Sequence, residues 1–342
     1  MKVAVVGITG YSGMVLYQLL KQHSEVSEIN FYQHDLTEPL PISEVVENFS
    51  TDEHLLLPYD SQTIMADNQV VFFATSAGVT ANLAQPFLEA DFPVIDLSGD
   101  FRLQDGKQYE SWYHKPAVSP ELLQQAYYGL ADLDENPGKN YVANPGCYAT
   151  ATLLGLAPLV ANDLIDLDSI IVDAKSGFSG AGKKLSNLTH FVQAHDNLQI
   201  YKANQHQHIP EIMAKLQQWN DKVQHIQFMT TLVPINRGIM SSIYVKVKAG
   251  VTFNQIKQQF ETTYGNSPFV QVMTDHLPTL KSVVGTNNCQ IGLAYNPVTG
   301  YLLIDSVIDN MIKGAAGQAI QNFNQLFKFK NNTGLNLSPV LP

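Results

Sequence analysis

Cysteine is nearly absent from this 342-residue sequence, which holds only Cys147 and Cys289. Two thiols cannot form the bridge framework of a small secreted domain, and no C-x-x-C pair offers a zinc site, so a reducing cytoplasm is the expected setting and no metal is expected. Positive charge is also scarce: 20 Lys plus Arg stand against 31 Asp plus Glu, a formal charge of -11. A surface of that sign repels phosphate backbones and anionic membranes, so neither nucleic acid nor membrane is an expected partner. No apolar run approaches the length of a membrane span, and the opening strand Lys2 to Val6 is cut short by Gly7, Thr9 and Gly10 before a signal-peptide core develops. Internal repeats, low-complexity tracts and charge blocks are missing, and Asn-x-Ser/Thr matches at Asn48, Asn187 and Asn331 read as chance.

What is present is a globular composition, 45% hydrophobic and 15% charged. At about 150 residues per domain the length gives two domains. Lys2 to Val6 reads as a buried strand, followed by a glycine turn and an amphipathic helix over residues 12–23, the opening of a doubly wound sheet. Strands predicted at 28–32, 69–74 and 93–97 alternate with helical stretches near 44 and over 81–89, which implies a parallel sheet. After an apolar helix over 147–159 the texture changes. Alternating segments at 169–174, 226–233, 241–247, 290–295 and 301–307 favour a mixed or antiparallel sheet. Apolar residues at 308, 311, 312, 315, 316, 319, 320 and 323 mark one buried face of a last helix over 307–327, expected to pack back on the first domain. The expected fold class is α/β: a Rossmann-type parallel-sheet domain over 1–146 and 310–342, and an α+β catalytic domain with a mixed or antiparallel sheet over 147–309.

Gly7-Ile8-Thr9-Gly10-Tyr11-Ser12-Gly13 lies between that first strand and helix. Missing side chains there let backbone N–H groups approach a pyrophosphate, and the helix dipole favours its charge, so a dinucleotide is expected. The second strand ends Tyr32-Gln33-His34, with no carboxylate before Asp35, which favours NADP over NAD. Two imitations fail on residue chemistry. Gly177 to Lys184 matches a phosphate loop but has Lys184 where magnesium needs a hydroxyl, and Tyr17-x-x-x-Lys21 sits on the phosphate side of any cofactor. Asn144-Pro145-Gly146-Cys147 puts a thiol at a helix start, where the dipole stabilises thiolate; that points to a nucleophile, whereas Cys289 sits inside a strand as a small apolar residue. His206-Gln207-His208-Ile209-Pro210-Glu211 supplies two imidazoles before a helix. A metal there would need a third ligand, with Glu211 or His195 the nominees. Acid/base service to Cys147 is the better fit, and either histidine could provide it.

With those residues in view the chain resembles the N-acetyl-gamma-glutamyl-phosphate reductases, relatives of the aspartate-semialdehyde dehydrogenases. The similarity runs through the glycine turn, Asp96 to Leu103, Tyr128-Gly129-Leu130, Asn144 to Tyr148, Ser176 to Lys183, His206 to Ile212, Val233 to Gly238 and Asp309 to Ala319. Gln207 and Ala149 depart from it, where the family commonly has Arg and Pro. The resemblance implies NADPH-dependent reduction of N-acetyl-gamma-glutamyl phosphate to the semialdehyde, with release of phosphate, through a thioester on Cys147. His206, ahead of His208, is implied as the acid/base. Gly7, Thr9, Gly10, Tyr11, Ser12, Gly13, Ser179, Gly180 and Asn310 are implied as cofactor contacts. Asn144, Arg102, Lys183, Lys184 and Arg237 are implied as substrate contacts, and a homo-oligomer, dimer or tetramer, as the assembly. Aspartate-semialdehyde dehydrogenase, with the same chemistry on another acyl phosphate, is the alternative, and a non-catalytic NADP sensor would leave Cys147 and both histidines idle.

Overall fold

A computed structural model describes residues 1–340, which divide into two compact units: Met1–Pro145 with Ala315–Asn336, and Gly146–Gly314 with residues 337–340.

The first unit is built on an eight-stranded sheet. Its strands are β1 (Lys2–Val6), β2 (Glu28–Gln33), β3 (Leu40–Pro41), β4 (Leu55–Pro58), β5 (Val70–Phe73), β6 (Val94–Asp96), β7 (Ala126–Tyr128) and β8 (Tyr141–Ala143), in the order β3-β4-β2-β1-β5-β6-β8-β7. All pairings are parallel except β3 with β4. Residues 3–6 and 70–73 are wholly buried, the unbroken apolar run that a parallel strand needs when both sheet faces are covered. The helix Tyr11–Lys21 follows the glycine turn, and Gly317–Leu326 returns to this unit. That returning helix buries polar residues as well as apolar ones. Asn324 Oδ1 lies 2.8 Å from His23 Nε2, and Asn322 donates to Gly129 O and Asn144 Oδ1, both at 2.9 Å.

The second unit carries β9 (Ile165–Ser176), β10 (Gln199–Tyr201), β11 (Gln227–Leu232), β12 (Ile239–Val247), β13 (Val270–Met273), β14 (Cys289–Asn296) and β15 (Tyr301–Ile308), in the order β10-β11-β9-β12-β15-β14-β13. Two pairings, β9 with β11 and β13 with β14, are parallel and the other four antiparallel, so the sheet is mixed. The helix Cys147–Val160 lies against it, buried at every residue from 148 to 160. Gly155 makes the approach possible: a Cβ there would sit 2.9 Å from Ile243 Cδ1 and 3.3 Å from Ile304 Cγ2. A helix buried all round is why its sequence is apolar without periodicity.

Three sequence-based boundaries change, each for a local reason. The stretch expected as one helix over 81–89 is two, Thr80–Leu83 and Gln85–Glu89, because Pro86 is accommodated only in a first turn. The expected helix over 307–327 is instead a strand through Ile308, a π-helical turn at Ile312–Ala316 and an α-helix only from Gly317. Asp309 makes that turn, its Oδ1 accepting from the N–H groups of Met311 (2.8 Å) and Ile312 (3.0 Å). The chain therefore crosses between units at Pro145/Gly146 and Gly314/Ala315 rather than at 146/147 and 309/310, and its last described residues return to the second unit, where Val340 N–H donates to Val284 O at 2.9 Å.

Candidate active site

Cys147 opens the buried helix of the second unit, with Gly146 as its N-cap and no capping side chain. Between residues 141 and 160 it is the only residue that is not buried, half-exposed in an otherwise buried stretch. A helix start without a cap leaves N–H groups and the positive dipole end for an anion, the condition for a stabilised thiolate. A Cβ at Gly314 would lie 2.7 Å from Cys147 Cβ, so glycine is what lets the π-helical turn close on Cys147. Cys289, fully buried in β14 with its Sγ 3.5 Å from Ser306 Oγ, has the surroundings of a packing residue.

His206 packs beside this helix start, 4% exposed, its ring centroid 5.1 Å from Tyr148, 5.9 Å from Tyr201 and 4.6 Å from His208. Its Nδ1 accepts the backbone N–H of His208 at 3.1 Å. That bond assigns the neutral tautomer with hydrogen on Nε2. Burial, then the nearby charges of His208 and Lys202, hold its pKa well below the usual histidine value, so at neutral pH the ring is an uncharged N–H donor. The hydroxyls of Tyr148 and Tyr201 lie 3.0 Å apart. Burial pushes both phenols up, Tyr201 to about 12 with the Cys147 charge adding to it, so both keep their protons. Glu211, 2% exposed, accepts the N–H of Gly146 at 2.7 Å. Among the described residues no group of three or more His, Cys, Asp or Glu could hold a metal.

Ser179, Gly180 and Asn310 converge within this unit. Asn310 donates to Ser179 Oγ at 2.9 Å and accepts from Gly238 N–H at 2.7 Å, while a Cβ at Gly180 would fall 2.9 Å from Ser176 Oγ. Arg237 contacts the fully buried Asp309 at 3.2 Å. Lys183 and Lys184 are exposed after Gly182. No helix longer than the turn Phe178–Ala181 follows Gly177, which removes the phosphate-loop geometry.

In the first unit Gly7 has a φ of 97° and a Cβ there would meet Ala74 O at 2.6 Å, while one at Gly13 would meet Gly7 O at 2.3 Å. Gly10 caps the helix without a side chain, no acid occupies its first turn, and Tyr11 begins it, 39% exposed. Thr9 and Ser12 flank this bare helix start, which fits a pyrophosphate. At the second strand's end Tyr32 turns into the core, its hydroxyl accepting from Asn68, which leaves Gln33 and His34; the carboxylate of Asp35 is engaged by Gln33 Nε2 at 2.7 Å. Tyr17 is buried against Phe31 and Lys21 lies over its ring, so that pair is packing. Arg102 donates through Nε to Asn144 O (2.8 Å) and through Nη2 to Leu97 O (3.1 Å), and the Asn144 amide donates to Ala315 O at 3.2 Å. Both brace the loop that enters the second unit. The 96–103 stretch is a structural hub: Asp100 accepts from Gly78 N–H, Ala81 N–H and Tyr109 Oη, and burial, then the Asp100 charge, pushes Asp96 up to about 6.

Residues 2–140 match the family model for the semialdehyde dehydrogenase NAD binding domain, and 147–310 match that for the semialdehyde dehydrogenase dimerisation domain. The chain is 54% identical over 342 residues to N-acetyl-gamma-glutamyl-phosphate reductase 2 of Lactiplantibacillus plantarum, covering all of both chains, and 51% identical to the N-acetyl-gamma-glutamyl-phosphate reductase of Lactococcus lactis, covering 99% of each. The chain belongs to the N-acetyl-gamma-glutamyl-phosphate reductases of the semialdehyde dehydrogenase family. Its fold is also that of aspartate semialdehyde dehydrogenase II from Vibrio cholerae, at a TM-score of 0.69 and 18% identity with 96% and 98% of the chains covered. The Candida albicans aspartate semialdehyde dehydrogenase solved with NADP gives 0.68 and 14%, with 96% and 99% covered.

This member of the family places Tyr148, Tyr201, Glu211 and Gly314 around Cys147. From the sequence alone Tyr201 has no role, Glu211 is a metal nominee and falls within one family-like stretch, and Gly314 falls only within another. The contact of Glu211 with Gly146 spans 65 residues of sequence and leaves no local signal.

The depressed His206 pKa has a stability consequence. An unfolded chain takes up a proton near pH 6.5 that the buried ring refuses, so stability is intact above that value. It should fall by up to about 1.4 kcal/mol per pH unit as pH drops below ~6.5, levelling only below the folded pKa. Thermal unfolding between pH 7 and 5 checks this, and the slope should flatten in His206→Gln; an equal slope in the variant would assign the effect elsewhere.

Proposed function

We propose that the protein reduces N-acetyl-gamma-glutamyl phosphate to N-acetylglutamate semialdehyde with NADPH, through a thioester on Cys147. One observation carries this: a half-buried cysteine at the start of a buried helix with no side-chain cap, beside a neutral buried imidazole. Identity of about half to full-length reductases supports the substrate.

The Cys147 thiolate attacks the acyl carbon, and the carbon–oxygen bond to phosphate breaks with its electron pair leaving on phosphate. NADPH, when bound, supplies the hydride that reduces the thioester carbon. The alkoxide then formed on the Cys147 adduct collapses, expelling the thiolate and releasing aldehyde, so no proton has to be carried by a side chain in this half. A neutral Nε2–H on His206 suits that balance, because it can stabilise both oxyanions by donation without giving up its proton. Gly7, Thr9, Gly10, Tyr11, Ser12 and Gly13, with Ser179, Gly180 and Asn310, would hold the cofactor. Lys183, Lys184 and Arg237 are the cations assigned to the substrate's phosphate and carboxylate, while Arg102 and Asn144 serve by bracing the loop before Gly146.

Cys147→Ser should bind NADP and lose nearly all turnover in an assay of cofactor reduction with the semialdehyde and phosphate, while Cys289→Ser stays active. Retention of more than about a tenth of the rate by Cys147→Ser would refute covalent catalysis. A higher kcat/KM for aspartyl phosphate would instead make this an aspartate-semialdehyde dehydrogenase.

NADPH should exceed NADH in kcat/KM, because Gln33 and His34 replace the carboxylate that would repel a 2'-phosphate, and the advantage should shrink with salt. Equal values at low salt would remove the strand-end argument.

The assembly we propose is a homodimer through the outer face of the mixed sheet, in keeping with the dimerisation-domain match. Ile171 and Tyr244, directly opposite one another on β9 and β12, are 38% and 40% exposed there, and Tyr301 of β15 is 39% exposed. Sedimentation should show a dimer that Tyr244→Glu converts to monomer; an unchanged dimer would place the interface elsewhere.

A further inference from the structure

We propose that Glu211 is the positioning residue of the nucleophile: its buried carboxylate holds the peptide N–H of Gly146 and so fixes Cys147 at the first helical position. The inference rests on Cys147 being the nucleophile.

The cysteine helix cannot cap itself. Its N-cap is a glycine, its third helical residue is Ala149, and no acid lies in its first turn, yet Gly146 is buried, so its N–H cannot turn to bulk water. A capping-box glutamate reaches back from the third position of its own helix to the N-cap N–H. Glu211 does this from a different helix, His208–Trp219, at 2.7 Å and 2% exposed. Glu211 also sits in the first turn of that second helix, so its charge faces two helix N-termini, which offsets part of the cost of burying it. A charge-assisted bond is shorter and stiffer than a neutral one, which is the property wanted of a clamp one residue from the attacking sulfur. The same turn carries His206 and His208 at its start, so one anchor ties the imidazoles to the thiol's helix.

A carboxylate so placed leaves a signature that packing alone would not. The titratable groups of this corner are Cys147 and Tyr148 on one helix, Tyr201 and Lys202 from β10 and the residue after it, and His206, His208 and Lys215 beside or along the other. The Glu211 charge opposes ionisation of the thiol, so removing the charge while keeping an acceptor oxygen should ease it.

The test compares Glu211→Gln, Glu211→Ala and Cys147→Ser in the full chain. It measures kcat, KM for the acyl phosphate, and the pH midpoint of Cys147 alkylation by iodoacetamide followed on the Cys147 peptide. Glu211→Gln should keep kcat within about tenfold and lower the alkylation midpoint by roughly half a unit or more. Glu211→Ala should lose about 100-fold in kcat with KM little changed, the loss expected of a displaced reacting group. Equal kcat for Gln and Ala, wild-type kcat in Ala, or an unmoved midpoint in Gln would overturn the proposal; should Ala not fold, the Gln midpoint decides alone. Turnover by Cys147→Ser would sink the thioester mechanism itself, whereas an inactive Cys147→Ser beside a fully active Glu211→Ala would sink only the positioning role.

Discussion

A helix that begins inside protein must find partners for its first N–H groups there, and the Cys147–Val160 helix begins with every neighbour in sequence buried. The second unit is arranged around that constraint. Gly146 brings no side chain to the helix start, Glu211 takes the N-cap N–H from outside, and Cys147 is left half-buried among buried neighbours. Gly155 lowers the rest of the helix onto the sheet, and Gly314 admits the π-helical turn against Cys147. A side chain at either glycine would move Cys147 or the turn packed against it.

The same dryness decides what the histidines do. His206 is enclosed by Tyr148, Tyr201 and Phe228, and the N–H of His208 is already spent on its Nδ1. An imidazole held in that way resists a positive charge and offers one hydrogen, on Nε2. The proposed thioester reduction suits such a donor, since in it thiolate is consumed in the first half of the cycle and regenerated in the second.

The first unit meets a different demand, the close approach of backbone to backbone. Gly7 and Gly13 are excluded from carrying a Cβ by Ala74 O and by Gly7 O, which brings the helix start hard against β1, and no side chain caps it. Its polar interior has the same economy. Asn322, Asn324 and Gln318 of the returning helix are buried because each is bonded to a loop or side chain of this unit, and Arg102 ties Leu97 and Asn144 together at the sheet's carboxyl end.

Much of this was legible in the residues. Apolar runs without alternation at 2–6 and 69–74 read as buried parallel strands, alternation over 169–174 and 241–247 read as strands with one wetter face, and a glycine-spaced turn between strand and helix restricts what can bind there. Local chemistry also singled out Cys147 over Cys289, because a helix start and a strand interior differ in sequence. Bonds that close over long separations were not legible. Glu211 to Gly146 spans 65 residues and Asn322 to Asn144 spans 178, and the apolar spacing from 308 to 323 gives no sign that Asp309 turns the chain between a strand and a helix. Sequence periodicity reports which face a residue presents; only the folded chain decides which distant donor meets which acceptor, because that depends on packing distances of a few ångströms that no local pattern encodes.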